Sequence, residues 1–376
     1  MTESLSRIPN GLRYYCGREA RVRRTVQQIA MSVFEGWSYE EIVTPSVDYY
    51  SLFEAGMGKT EAERAFKFSE GDGQLLALRL DVTSAIARAA ATLFAKRERT
   101  LRLCYAATVF QHGRSPAVGR RESTQIGCEL LGRNSKAADM EVLAIAAEVL
   151  GRLGLNQVVI TLSEVEIFNG IVENLGFDAT ARDELRRLVD IRAVAEVESF
   201  LSSYASAGES SAFADLIQLS GKAEIFPKAR QVITNSRSRA ALDRLESLWQ
   251  VIGSLGMAEH FEIDLGDVAR LDYYTGLTFK IYVAGIGARV GSGGRYDNLT
   301  AQFGKGEPAV GFVLELDALA ELLAERPEFV SAIEVAEAGT SPDDGDVAGL
   351  FLEAIMRRAS NERVKINVDE VTTCQS

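Results

Sequence analysis

Three short polar segments of this 376-residue chain carry side chains that could hold a small charged organic ligand. LRLDVT places Asp81 two residues before Thr83, and TQIGCE places Gln125 four residues before Glu129. Residues four apart on a strand point to the same face, so Gln125 and Glu129 would line one surface. A carboxylate with neutral acceptors suits an ammonium group, and a carboxylate near a hydroxyl suits a nitrogen ring with an N–H. The third segment, LDYYTG, supplies two phenolic hydroxyls, those of Tyr273 and Tyr274.

The composition is that of a globular protein with an acidic balance of charge. Hydrophobic residues make up 47% of the chain and charged residues 25%, and the formal net charge is −12. A protein that binds the phosphate backbone of a nucleic acid usually has a basic face. The charge therefore disfavours nucleic-acid binding, although an acidic chain can still carry a local basic patch.

The cysteines and histidines are too few and too scattered for a metal centre or a disulfide framework. No CxxC or Cys/His spacing occurs among Cys16, Cys104, Cys128, Cys374, His112 and His260. No apolar run approaches the ~20 residues that span a membrane. The N-terminus has no apolar core behind a basic start, so it is not typical of a secretory signal. We therefore expect a cytoplasmic protein that holds no metal and contacts no membrane.

Hydrophobic spacing predicts the elements that must position the three segments. Residues 17–35 have apolar side chains at helical spacing, and Gly36 ends the pattern. Asp139 can cap a later helix. From residue 65 the pattern predicts a hairpin, a helix, two strands around a basic loop, a helix and a strand, at 65–81, 84–94, 101–110, 123–132, 139–153 and 157–163.

Between residues 167 and 257 the apolar residues recur at helical spacing and strand patterns almost vanish. This predicts a helical insertion of roughly 90 residues, a size that can form a small domain. Strands return at HFEIDLG, GLTFKIYVAG and AVGFVLEL, with a short helix beginning near Tyr296. Residues 326–376 are acidic and rich in turn formers, which predicts a linker and a short tail. Within them, VAGLFLEAIMRRA predicts one amphipathic helix.

Five segments between residues 8 and 325 resemble, in the same order, class II aminoacyl-tRNA synthetases of the histidyl type. EGWSYEEIVTPSVDYYSLF is similar to the first class II motif, whose proline, here Pro45, helps to form a homodimer interface. The second motif resembles FQHGRSPAVGRRESTQIGCELLG, and the third resembles PAVGFVLELDAL. LDYYTG and GSGGRYDNL resemble histidyl-specific segments. The resemblance implies an α+β core over 1–325, a mostly antiparallel sheet flanked by helices, with the insertion at 167–257.

The resemblance also assigns roles in an amino-acid pocket. It implies that Asp81 and Thr83 hold the α-ammonium group of the ligand. Gln125 and Glu129 take the positions that contact the amino-acid backbone and an imidazole ring, while Tyr274, next to Tyr273, takes the other side of that ring. The plainer interpretation is that these are ordinary polar strand residues paired with backbone groups. The whole set in register favours the pocket.

The positions that handle ATP in the resembled enzymes differ in this chain. Adenylation needs positive charge on the α-phosphate, which arginines usually supply. The three family arginines are replaced by Gln111, Ala269 and Ala318, and a family glutamate is replaced by Gly113. The resemblance therefore implies that adenylation is lost, unless another arginine substitutes. The candidates for substitution are Arg114, Arg120, Arg121 and Arg270.

A retained histidine pocket with altered adenylation positions resembles one paralogous family, the regulatory subunits of short-form ATP phosphoribosyltransferase. That family acts at the first step of histidine biosynthesis. It implies a non-catalytic chain without a cofactor that activates a separate catalytic subunit in a hetero-oligomer, with L-histidine as the effector. About 50 residues follow the core, too few for a fused anticodon-binding domain, so we expect that no tRNA is bound.

Two alternatives stay open from the sequence. The first is a histidyl-tRNA synthetase that lacks a fused anticodon domain, and an ATP–pyrophosphate exchange assay distinguishes it. The second is a stand-alone amino-acid-binding or scaffold protein with another partner. A neighbouring gene for a short phosphoribosyltransferase would argue against that second alternative.

Overall fold

A computed structural model describes residues 7–71, 73–112, 120–268, 273–333, 337–340, 347–360 and 363–366. The contacts divide the chain into two compact units, Met1–Leu322 and Leu323–Ser376. The helices are α1 Gly17–Gly36, α2 Tyr50–Met57, α3 Lys59–Ala62, α4 Thr83–Ala91, α5 Lys136–Arg152, α6 Val165–Val172, α7 Ala179–Asp190, α8 Val194–Leu201, α9 Ala207–Leu216, α10 Ile225–Val232, α11 Ser236–Ser254, α12 Leu316–Ala324, α13 Pro327–Ile333 and α14 Val347–Ala359.

The strands are β1 Glu40–Glu41, β2 Val47–Tyr49, β3 Lys67–Ser69, β4 Leu75–Leu78, β5 Leu101–Phe110, β6 Glu122–Leu131, β7 Val158–Glu164, β8 Ser220–Gly221, β9 Phe261–Asp264, β10 Leu277–Val283, β11 Gly291–Arg295, β12 Ala309–Glu315, β13 Glu337–Thr340 and β14 Arg363–Ile366. Among the described residues of the first unit, nine strands form one sheet in the order β1-β5-β6-β12-β11-β10-β7-β9-β8. The pairs β1–β5 and β7–β9 are parallel and the other neighbours are antiparallel. The predicted α+β class with a mostly antiparallel sheet is confirmed.

The centre of the sheet is covered on both faces. All but two of the residues of β6 are buried, as expected of a strand that is not half solvated. Helix α1 contacts β5, β6 and α5, and it buries the apolar stripe that its sequence predicted, Val22, Val26, Ala30 and Val33. Gln125 and Glu129 lie together on one face of β6, where a site can form.

A second, three-stranded sheet has the order β2-β4-β3. Strands β3 and β4 are antiparallel, with Phe68 opposite Leu76, which confirms the predicted hairpin. The chain then runs through Leu80 and Asp81 into α4. The hairpin therefore delivers the first polar segment to β6, where the Thr83 hydroxyl contacts Glu129.

The start of α5 differs from the prediction. The helix begins at Lys136, and its N-cap is Ser135, whose hydroxyl accepts a hydrogen bond from the backbone N–H of Ala138 at 3.2 Å. Asp139, expected as the cap, lies in the first turn and pairs with Arg295. A buried guanidinium competes for the carboxylate more strongly than a backbone amide does, so the serine serves as the cap instead.

Strand β11 was not predicted as a strand, because GSGGR has no β-branched or aromatic residue. It nevertheless lies near the middle of the sheet, with hydrogen-bonded partners β10 and β12 on its two sides. The short helix expected near Tyr296 is a four-residue 3-10 turn, Thr300–Phe303.

The predicted insertion is helical, from α6 to α11, apart from the two-residue strand β8. Its buried apolar side chains form a cluster that includes Phe168, Leu185, Val189, Leu201 and Phe213. The expected helical insertion is thus confirmed, and its bounds as a unit of the core, 167–257, stay a prediction.

The second unit has more regular structure than the acidic linker and tail expected at 326–376. Strands β13 and β14 pair in parallel, with Ala338 opposite Val364, and the predicted helix α14 connects them. A parallel pair needs such a crossover connection. Strand β13, with the sequence EAGT, is short and has one strand-forming residue, Thr340, so sequence patterning could not reveal it.

No helix in the part of the chain that the structure describes combines the length and the apolar character needed to cross a membrane.

The small sheet and the segment before it leave large apolar side chains exposed. Val43 is 86% exposed, and Val47, Tyr49, Phe68 and Leu75 are also exposed. An exposed apolar patch of several side chains is typical of an interaction surface. Pro45, where the sequence predicts a homodimer interface, lies between the exposed residues Val43 and Val47 in the chain.

We therefore predict that the isolated chain is a homodimer, which size-exclusion chromatography with light scattering would detect at micromolar concentration. Val47→Asp should shift the protein toward monomer, because it places a charge in the apolar patch. Leu255→Asp is the matched control, since Leu255 is also an exposed aliphatic residue but lies at the end of α11. A wild-type protein that is monomeric throughout would contradict this prediction.

Candidate functional site

The candidate site is built around Glu129, which β6 places on the polar face of the large sheet. Its side chain is almost completely buried, at 1% exposure. Each carboxylate oxygen accepts one hydrogen bond, Oε1 from the Thr83 hydroxyl at 2.8 Å and Oε2 from the Tyr296 hydroxyl at 2.6 Å. Since a carboxylate offers about four lone-pair sites, acceptor capacity remains for a ligand.

Burial governs the protonation of Glu129. Removal from water raises the pKa of this carboxyl to about 8, although the hydrogen bonds from Tyr296 and Thr83 act in the opposite direction. The nearby Asp81 carboxylate raises it further. A ligand that brings a hydrogen-bond donor or a positive charge to Glu129 would therefore lower the pKa of this carboxyl and favour its ionised form.

Asp81 lies at the entrance to α4 and offers an unused acceptor. Its Oδ2 accepts hydrogen bonds from the backbone N–H of Ser84 at 3.2 Å and from the Ser84 hydroxyl at 3.1 Å. The other oxygen, Oδ1, is buried and has no hydrogen-bond partner among the residues that the structure describes. Burial raises the pKa of Asp81 to about 6, partly offset by the two Ser84 hydrogen bonds. An orphaned buried carboxylate oxygen is costly, so the site is suited to a cationic donor.

Aromatic rings form the walls of the site. The ring centroids of Tyr273 and Tyr274 are 4.8 Å apart, and those of Tyr273 and Tyr296 are 5.9 Å apart in an edge-to-face arrangement. Burial raises the pKa of the Tyr274 hydroxyl above its usual value. The hydroxyl therefore stays protonated and can donate a hydrogen bond.

Glycines let the backbone approach these walls. A Cβ atom at Gly294 would lie 2.7 Å from Cε1 of Tyr274, and its φ of 159° lies at the limit of the region that favours glycine. A Cβ atom at Gly311, the residue opposite Glu129 on β12, would overlap the Glu129 carboxylate. Side chains at either position would fill the pocket, so the glycines provide close packing rather than a phosphate-binding loop.

Gln125 lies on the same face of β6 as Glu129, as the four-residue spacing predicted. It is buried, and its Nε2 donates a hydrogen bond to Oε1 of Glu315 on β12 at 3.2 Å. Five of the six predicted pocket residues thus lie in one group, and Gln125 lies at its margin. The five are Asp81, Thr83, Glu129, Tyr273 and Tyr274. The roles of these six residues stay predictions.

Sequence reasoning missed Tyr296 as a pocket residue. It is 2% exposed and holds Glu129 directly. Its segment, GSGGRYDNL, resembles a histidyl-specific segment, and the tyrosine within that segment is the available signal. Ser84 was missed as well, although it follows Thr83 and secures Asp81.

Two of the four altered adenylation positions lie within the described residues. Gln111 is a neutral amide whose Nε2 donates to the carbonyl oxygen of Leu80 at 3.2 Å. Ala318 lies in α12. Gly113 and Ala269 lie outside the described residues, as do Arg114 and Arg270.

The charge of Asp317, the residue before Ala318, is compensated by arginines of the same unit. Asp317, 3% exposed, accepts a hydrogen bond from the Thr124 N–H at 2.9 Å and forms an ion pair with Arg23 of α1. Arg120, a candidate substitute for the missing arginines, also pairs with Asp317 and with Glu321. Its charge is therefore engaged by carboxylates of α12.

The described residues contain no group of three His, Cys, Asp or Glu side chains placed to hold a metal ion. The cysteines that the structure describes, Cys16, Cys104 and Cys128, are free thiols.

The mixed sheet with its buried polar pocket defines a class II synthetase-like protein of the histidyl type. The sequence model of the histidyl-tRNA synthetase family matches residues 11–319. The ATP phosphoribosyltransferase regulatory subunit of Moorella thermoacetica is 34% identical over 95% of this chain and 90% of its own length. That of Geobacter sulfurreducens is 35% identical over 85% of this chain and 74% of its own. A solved structure described as an ATP phosphoribosyltransferase regulatory subunit/histidyl-tRNA synthetase from Bacillus halodurans is 26% identical, with a TM-score of 0.87, and covers 98% of this chain and 95% of its own.

The chain therefore belongs to the histidyl-tRNA synthetase family and, within it, to the ATP phosphoribosyltransferase regulatory subunits.

The raised pKa of Glu129 predicts how stability depends on pH. The folded, ligand-free protein keeps this proton up to about pH 8, whereas the unfolded chain loses it near the ordinary value of 4.5. Between these values the folded state binds more protons, so the free energy of unfolding should fall as pH rises, by up to about 1.4 kcal/mol per pH unit. Glu129→Gln cannot titrate and should lose this component. Urea unfolding of both proteins at pH 5, 6 and 7 tests this, and a constant difference between them would contradict it.

Proposed function

We propose that this chain is a non-catalytic subunit that activates a separate ATP phosphoribosyltransferase chain and binds L-histidine as its feedback effector. The observation that carries the ligand assignment is the arrangement of two buried carboxyls, Glu129 with both oxygens held by hydroxyls and Asp81 with one oxygen unpartnered. The names of the curated relatives support the assignment of the partner.

Free histidine has the groups that this pocket requires. Its α-ammonium group would donate to Oδ1 of Asp81, which satisfies the orphaned acceptor. Its imidazole N–H would donate to Glu129, whose remaining lone pairs are free for it. The Tyr274 hydroxyl would serve the other ring nitrogen, and the Gln125 amide at the margin would contact the amino-acid backbone.

Three residues outside this set, Gln111, Ala318 and Arg120, argue against adenylation by this chain. Transition-state stabilisation on a phosphoryl group requires preorganised positive charge, and loss of one such group costs about 10²–10³ in rate. Gln111 contributes a neutral amide, Ala318 contributes no charge, and Arg120 is paired with Asp317 and Glu321. The fold alone accounts for the likeness to histidyl-tRNA synthetases, and a ligase is the alternative function.

Binding of histidine as an allosteric effector requires a difference in affinity between two states of the complex. A coupling free energy of about 1–3 kcal/mol is typical. If histidine favours the inactive state by this amount, linkage requires that the active complex binds histidine more weakly than the inactive complex by the same factor.

We predict that calorimetry detects L-histidine binding without ATP or magnesium. Glu129→Gln should weaken this binding by roughly 1–3 kcal/mol, because the donated imidazole N–H favours the ionised Glu129 carboxylate and a neutral amide cannot form that charge-assisted hydrogen bond. Affinity should also fall as the pH drops below about 6, where Asp81 takes up a proton and no longer pairs with the ammonium group.

Glu141→Gln is the matched control for Glu129→Gln. Glu141 likewise accepts a tyrosine hydroxyl, that of Tyr39 at 3.0 Å, but it belongs to α5 and pairs with Arg102. Its replacement should leave histidine affinity unchanged. Equal binding of alanine or lysine would show that the imidazole assignment to Glu129 and Tyr274 is wrong.

We further predict the behaviour of the full chain mixed with a short ATP phosphoribosyltransferase catalytic chain. The mixture should turn over faster than the catalytic chain alone, and histidine should suppress that turnover. Asp81→Ala should leave complex formation intact while blunting the inhibition, because the carboxyl lies inside the fold, where it contacts Ser84 and the proposed effector.

Two outcomes of these assays would contradict the proposal. Histidine-dependent ATP–pyrophosphate exchange by the isolated chain would favour a ligase. Unchanged inhibition in both Asp81→Ala and Glu129→Gln would place the histidine sensor elsewhere, and this chain would then be an activating scaffold.

A further inference from the structure

Arg295, the arginine of GSGGRYD at the end of β11, has no role in the ligand contacts proposed above. Its side chain is buried, at 6% exposure. Nε and Nη2 donate to Oδ1 of Asp139 at 3.1 and 2.5 Å, and Nη1 donates to Oδ1 of Asp297 at 3.1 Å and to the carbonyl oxygen of Arg133 at 3.4 Å. A buried guanidinium with this many partners holds one geometry, because its planar donors point in fixed directions.

The backbone of Arg295 is tied to the segment that carries Tyr274. Its carbonyl oxygen accepts hydrogen bonds from the Thr275 N–H at 2.8 Å and from the Thr275 hydroxyl at 3.4 Å. The Thr275 hydroxyl in turn accepts the Asp297 N–H at 3.0 Å. A Cβ atom at Gly276 would lie 3.2 Å from Cδ of Arg295, so that glycine packs directly against the arginine stem.

These contacts reach both aromatic walls through their sequence neighbours. Thr275 directly follows Tyr274, and Arg295 directly precedes Tyr296, whose hydroxyl holds Glu129. Asp139 anchors the arrangement to α5, a helix that contacts β6 and β12. Arg295 is thus linked through its backbone to the segments of both tyrosines and through its guanidinium to α5.

We propose that Arg295 is a positioning residue, which together with Asp139 fixes Tyr274 and Tyr296 around Glu129 and so sets the affinity of the pocket for its ligand. The identity of the ligand rests on the function proposed above, but the positioning of the two rings does not. The competing explanation is an ion pair that only stabilises the fold, and it predicts no selective effect on the tyrosines.

The first test uses the full-length protein without ligand, labelled with 3-fluorotyrosine. The fluorine resonances of Tyr274 and Tyr296 are assigned by Tyr274→Phe and Tyr296→Phe. Arg295→Gln and Asp139→Asn should shift or broaden both resonances, under conditions where circular dichroism shows all variants folded. Asp139→Asn keeps the shape of the acceptor and serves if Arg295→Gln does not fold.

Arg99→Gln is the matched control for buried charge. Arg99 is also largely buried, pairs with Glu307 at 2.6 Å and donates to the carbonyl oxygens of Phe94, Arg97 and Ala90. It should leave both tyrosine resonances in place. Unchanged resonances in Arg295→Gln and Asp139→Asn, or equal changes in all three variants, would overturn the proposal.

The second test is calorimetry with L-histidine on the same proteins. Arg295→Gln should weaken binding by roughly tenfold, as expected when hydrogen-bonded groups lose their alignment. Combined with Tyr296→Phe, it should add less than its separate effect, since both changes act on one wall. Additive losses, or unaltered affinity despite displaced tyrosines, would refute the positioning of the binding groups. If the wild-type protein binds no histidine while the resonances still respond to Arg295, the proposed ligand is wrong and the positioning of the rings stands.

Discussion

The buried carboxyl of Glu129 is the constraint on which this fold depends. A carboxyl removed from water must be hydrogen-bonded or protonated, and an unsatisfied buried polar group costs about 1–3 kcal/mol. Its two donors come from the start of α4 and from the residue that follows β11. The sheet order brings β11 within two strands of β6, and this allows Tyr296 to reach across β12.

The same constraint explains the glycines. Gly311 and Gly294 leave the space that the Glu129 carboxylate and the Tyr274 ring occupy. Glycine is unfavourable in a strand because it loses more conformational entropy than other residues on folding. Strand β11 tolerates this cost because β10 and β12 bind it on both sides. The backbone thus approaches these side chains closely at the expense of local strand propensity.

Beside the pocket, the charges of Arg23 and Arg120 are compensated by a buried carboxylate. An enzyme keeps positive groups unpaired so that they can act on the reacting phosphate. Here Asp317 forms ion pairs with Arg23 and Arg120, and Gln111 donates a hydrogen bond to the carbonyl oxygen of Leu80. These groups satisfy one another, which fits the membership of the chain among regulatory subunits.

The sequence by itself determined the local elements and predicted most of the residues proposed for the pocket. Helix α1, strands β5 and β6 and the β3–β4 hairpin follow from side-chain periodicity, because the period reports which face of an element is buried. The resemblance of local segments identified Asp81, Thr83, Gln125 and Glu129, all of which lie on or next to those elements.

Only the tertiary structure decided which distant groups satisfy the buried charges. Tyr296 and Glu129 are separated by 167 residues, and Arg295 and Asp139 by 156. The side-chain periodicity around one member of a pair does not indicate where the other member lies. Strand β11 and the β13–α14–β14 unit were likewise decided by pairing with neighbours rather than by strand propensity. Periodicity describes the burial of one segment, whereas a buried polar group is satisfied by whatever the fold brings to it.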